Sequence, residues 1–114
     1  MAITNATIGT TTAAIYTSAS TNGDAITSVI VCNTAEFDPG NPTAGQVKLF
    51  LYAVPSSGSA TTPASNTIIV NGLPVPAGET VSFDQEKLVL SLGDMLVAKG
   101  DIANLVATVS TLAV

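Results

Sequence analysis

The residues that could do chemistry in this chain are few. There is no His and no Arg, and three Lys (Lys48, Lys87, Lys99) stand against eight Asp and Glu, a net charge of −5. Without His, neither a Ser-His-Asp nor a Cys-His arrangement can be built, and imidazole metal sites are excluded. Asp84 and Glu86 are spaced as a carboxylate pair of the kind that hydrolyses glycosides. The simpler reading is that they keep a hairpin turn wet beside Lys87. Glu36, Asp38 and Asn41 share one loop and are hard oxygen donors suited to Ca²⁺. Their spacing is not that of an EF-hand, and a solvated Asp-Pro-Gly turn is the simpler reading. Cys32, the one cysteine, sits in an apolar run and is expected to be a buried, inert thiol. It can form no intrachain disulfide. Tyr16, Phe37, Phe50 and Tyr52 offer rings for stacking a sugar, but core or interface packing explains them as well. Asn5-Ala6-Thr7 fits a glycosylation sequon. No Gly-rich stretch precedes a helical pattern, so no phosphate loop is expected. The sequence therefore predicts no enzyme, no catalytic residue, no metal and no cofactor.

The elements that must position these residues are strands. Ser and Thr make up 26 of 114 residues, and Val and Ile are abundant. These types suit a pleated, half-buried surface. Turn signals recur about every 8–12 residues, as in a sandwich or barrel. Strands are expected over 13–18, 25–33, 46–54, 67–70, 79–83, 87–92, 95–98 and 104–112. Asn22-Gly23 and Asn71-Gly72 read as hairpin turns. Residues 73–76 carry two prolines and read as an edge. Two long loops, 34–45 and 55–66, interrupt the pattern, the second expected to be mobile. The expectation is all-β: one β-sandwich, jelly-roll-like, of about eight strands over 13–114, preceded by an arm or leader over 1–12.

In the strand over 46–54, Val47, Leu49 and Leu51 point one way, and Lys48, Phe50, Tyr52 and Val54 the other. The run from Val29 to Cys32 is apolar on both faces. The chain is 46% hydrophobic but only 10% charged, where an average domain carries about 25% charge. Such a surface favours association, so interface residues are expected among Ile30, Cys32, Phe50, Tyr52 and Val54. The acidic balance argues against nucleic acid. No apolar run reaches the length of a membrane helix, and the first ten residues lack the pattern of a secretory signal.

Five segments carry a resemblance: Ile15-Tyr16-Thr17, Ser-Val-Ile-Val-Cys-Asn-Thr at 28–34, Leu-Pro-Val-Pro-Ala-Gly-Glu-Thr-Val at 73–81, the Lys-Leu-Val-Leu and Gly-Asp run at 87–96, and Leu-Val-Ala-Thr-Val-Ser at 105–110. Together they resemble the small virion structural proteins of tailed bacteriophages. The loops at 37–44 and 56–65 are longer than that pattern. The resemblance implies a decoration (cement) protein on the capsid surface of the virion, with a neck, tail or fibre component that binds another virion protein or a host glycan as the alternative. It further implies a homo-oligomer, expected as a trimer, in contact with the major capsid protein or another virion protein.

Overall fold

The computed structural model describes residues 2–83 and 88–114. Nine strands lie among them: β1 (Ala2–Ile8), β2 (Ala13–Thr17), β3 (Asp24–Asn33), β4 (Val47–Val54), β5 (Ile68–Val75), β6 (Thr80–Phe83), β7 (Leu88–Leu90), β8 (Met95–Gly100) and β9 (Leu105–Ala113). They form two antiparallel sheets. One runs β1-β9-β3-β6, with β7 pairing β3 beyond the end of β6; the other runs β2-β8-β4-β5. The first strand lies beside the last, the second beside the next to last, the third beside the sixth, and the fourth beside the fifth. This nesting is jelly-roll connectivity in a two-layer sandwich.

Period-two patterning builds the core between the layers. Val29 and Val31 of β3 and Leu105, Ala107 and Val109 of β9 face inward from the first sheet. Val47, Leu49 and Leu51 of β4 and Leu96 and Ala98 of β8 face them from the second. Leu49, Val31 and Val109 are fully buried.

Three local expectations give way to the structure. Residues 2–8 are not a free arm. They pair with β9 in unbroken register from Ala2↔Thr111 to Ile8↔Leu105, and Ile8 is buried in the core. Asn22-Gly23 turns the chain without making a hairpin, because β2 and β3 belong to different sheets. Asn71-Gly72 is not a turn either. It lies inside β5, where Gly72 takes φ +76° and the register against β4 slips by one residue. A positive-φ glycine serves a hairpin or a bulge equally well. Here the bulge prevails because β5 has a full-length partner in β4.

Candidate functional site

Packing among the described residues leaves the outer face of the first sheet uncovered. Its outward side chains run across the strands in rows. Thr7, Val106, Cys32 and Thr80 form one; Asn5, Thr108, Ile30 and Ser82 form the next. Ile3, Ser110 and Ser28 follow, and then Leu112, Ala25 and Val89. None of these residues is charged. Ile3 and Val89 are each 70% exposed, and Ile30, Val106 and Leu112 are exposed as well. The apolar side chains are separated by Thr and Ser hydroxyls, and Thr108 Oγ1 donates to Asn5 Oδ1 at 2.9 Å. Such a face can bury apolar area and accept or donate neutral hydrogen bonds without desolvating an ion.

The five expected interface residues do not form one site. Ile30 and Cys32 lie on this outer face. Cys32 is half-buried and faces outward, not into the core as its apolar neighbours suggest. Phe50 and Tyr52 lie on the opposite side of the molecule, on the outer face of the second sheet. There Lys99 Nζ sits 5.2 Å from the centre of the Phe50 ring, whose Cε2 and Cζ lie over Gly72, 3.6 Å from where a Cβ would stand. Phe50 thus seals the bulge of its own sheet.

Val54 is no interface residue. It shares the outward parity of Phe50 and Tyr52 but is only 2% exposed. The chain turns back immediately after it, with Gly58 N–H donating to Pro55 O at 2.8 Å, and Val54 Cγ1 fills the space beside Gly58. The 55–66 loop is then tied down: Asp94 Oδ1 accepts Ser56 N–H at 2.9 Å, and Thr12 Oγ1 donates to Thr61 O at 2.8 Å. Val97, opposite Tyr52 on the same face, is also fully buried. The second sheet is therefore partly covered by its own loop, while the described outward residues of the first are exposed or half-buried.

The acidic residues serve turns and clamps. Asp38 Oδ1 accepts Gly40 N–H at 2.9 Å within its own turn, and Asn41 Oδ1 accepts the Thr43 hydroxyl at 3.3 Å. Glu36, Asp38 and Asn41 are all exposed. Among the described residues no three Cys, Asp or Glu side chains gather as a metal site. Asp101 Oδ1 accepts Lys48 N–H at 2.8 Å, and Asp94 Oδ2 accepts Ser91 N–H at 2.9 Å. The carboxylate pair of Asp84 and Glu86, with Lys87, lies outside the described residues.

Two polar centres escape a reading of the sequence. Asp24, which reads as an ordinary turn acid, faces inward at the start of β3. Its Oδ2 accepts the Tyr16 hydroxyl at 2.7 Å and the Ser18 hydroxyl at 2.9 Å. Those two bonds, Tyr16 first, hold the Asp24 carboxyl below the ordinary 3.8, against the opposing effect of burial. Burial, and then the bond to Asp24, push the Tyr16 phenol above 10.0. The bulge between Ala14 and Tyr16 turns the ring toward Asp24. At the other end of β3, buried Asn33 donates from Nδ2 to Gly45 O (2.8 Å) and Val75 O (2.9 Å) and accepts Ala35 N–H at 3.0 Å. Among the described residues every buried side-chain nitrogen and oxygen has a partner. An apolar recess of about 300 Å³ lies between Ile69 and Val70 of β5 and Phe83 and Leu88 of the facing sheet, and among the described residues only apolar side chains line it.

Comparison with protein-family models, with curated proteins and with solved structures gives no match to this chain.

Proposed function

We propose that this chain is a non-enzymatic structural protein of a phage virion, a decoration (cement) protein that binds the surface of the assembled capsid. The observation that carries the reading is the outer face of the β1-β9-β3-β6 sheet, uncharged and open among the described residues, while the 55–66 loop covers part of the opposite sheet. Low charge over the whole chain and the resemblance of its strand and turn segments to virion structural proteins point the same way. A protein that binds only the assembled shell shifts shell stability by mass action, without chemistry. The partner is the major capsid protein, contacted through Ile30, Cys32 and their neighbours.

The test is copy number per particle, measured by quantitative mass spectrometry against the most abundant shell protein. A ratio near one, or a simple fraction of it, is expected. A few copies per particle would replace the shell reading with a neck, tail or fibre component that binds another virion protein or a host glycan. Absence from particles would overturn both.

A further inference from the structure

A sandwich has four edge strands, each a row of unpaired backbone N–H and C=O groups that can recruit another strand. Three of the four edges here are blunted. β5 carries Pro74 and two register slips against β4. β2 has five residues and is broken by a bulge between Ala14 and Tyr16. On the far edge of the first sheet the described residues change register against β3, from Val29↔Phe83 in β6 to Ile26↔Leu88 in β7. β1 has none of these devices. It is seven residues long, holds unbroken register with β9, pairs with β9 alone, and contains no proline and no charged side chain.

We propose that β1 is a self-association edge, pairing antiparallel with β1 of a second copy to join the two first sheets into one continuous sheet. The occupant follows from what the edge demands. A seven-residue unblunted edge pairs along its whole length only with a strand of comparable length and straightness, and β1 is the one such edge among the described strands of this chain. Antiparallel pairing of a strand with its own copy is isologous and closes as a dimer. Full overlap places the two-fold axis at Asn5, with Ile3 opposite Thr7 of the second copy and Thr4 opposite Ala6. No like charges meet across that seam, so the chain's net charge of −5 opposes it only at long range. The two uncharged outer faces then become one. This contact replaces the three-fold ring expected from the resemblance, and it stands whether or not the chain binds a shell.

The test is sedimentation of the purified chain over a concentration series, without any shell, coupled to hydrogen exchange read by mass spectrometry. A monomer–dimer equilibrium is expected, with amides in residues 2–8 gaining protection as concentration rises and those in β5 unchanged. Asn5→Lys places two ammonium groups together at the axis, and Thr7→Lys adds charge one row away. Each should weaken the dimer at least about tenfold while the monomer's melting temperature is retained. A monomer at every concentration, a trimer, or association that leaves residues 2–8 unprotected would each overturn the proposal.

Discussion

Asp24 and Tyr16 tie the fold's stability to pH at both ends of the range. Asp24 has its folded pKa lowered, so its contribution is fully present above the unfolded value near 3.8 and is lost as pH falls through the folded value. Tyr16 has its folded pKa raised, so its contribution is present below 10.0 and is lost as pH rises through the folded value. In Tyr16→Phe the hydroxyl is gone, and Asp24 loses its largest source of stabilisation. The stability gap between the native chain and this variant should therefore be widest on the plateau between about pH 5 and pH 9. It should close below pH 3.8 and again above pH 10.0. Urea unfolding followed by far-ultraviolet circular dichroism across pH reads this directly, and a gap that does not change with pH would mean the hydroxyl does not act through Asp24. Asn33 is the other residue whose loss is felt beyond its own side chain. Asn33→Ala strands the Gly45 and Val75 carbonyls and the Ala35 N–H. With about 1–3 kcal/mol for each buried group left unpaired and partial rescue by water, a loss of about 2–4 kcal/mol is expected in the same unfolding measurement. Neither role is legible in the sequence. Asp24 follows Asn22-Gly23 and looks like any turn acid, and Asn33 ends an apolar run; Tyr16 and Ser18 reach Asp24 from across the turn into the other sheet, and Gly45 and Val75 reach Asn33 from other segments, so both sets meet only in the fold.

At the scale of elements, side-chain alternation was a good guide to facing and a poor guide to cover. Val47, Leu49 and Leu51 face the core as their spacing predicts. Val54 points outward as predicted yet is buried, because the turn that follows folds over it. Local pattern reports the side of a strand, not what a neighbouring loop does. The same limit hid β1. Its inward residues Thr4 and Ala6 are small or polar, so it reads as a polar leader, and it becomes a strand because β9 offers it a ladder. These two burials differ in kind, which gives a paired prediction. Leu49→Ala removes a side chain from the main core and should cost about 2–5 kcal/mol. Val54→Ala opens space only beneath the 55–66 loop and should cost about 1–2 kcal/mol. Chemical denaturation gives both values, and hydrogen exchange separates the mechanisms. The Val54 variant should expose amides in 55–62 while the β3 and β9 ladder stays protected. Equal costs, or global loss of protection from Val54→Ala, would mean that the two clusters form one cooperative core.

For the whole molecule, what matters is the asymmetry between its two outer faces. One sheet is partly covered by the 55–66 loop and bears Lys48 and Lys99; the outward residues described on the five strands of the other are exposed or half-buried and carry no charge. The sequence exposes a fragment of this, since Val29 to Cys32 is apolar on both faces. The rest is assembled from β1, β6, β7 and β9, which no local window brings together. If this face docks on a shell, a single charge at its centre should act on binding and spare the fold. Ile30 lies in the central strand, 40% exposed, between Thr108 and Ser82. In the free protein a Lys there keeps its ammonium in water while its stem lies along the sheet, so stability should change by less than about 1 kcal/mol. In a closed interface the same ammonium loses water without gaining an anionic partner from its own chain, because the described residues of the face around it carry no carboxylate. Ile30→Lys should then weaken binding to undecorated capsids by about 2 kcal/mol or more, a loss of at least about 30-fold in affinity. Tyr52→Lys, on the opposite sheet, should bind as the native chain does. Co-sedimentation of each variant with capsids compares them, with a thermal melt of each as the control for folding. Loss of binding with Tyr52→Lys and retention with Ile30→Lys would assign docking to the second sheet, and the bare face would then have to serve a different contact.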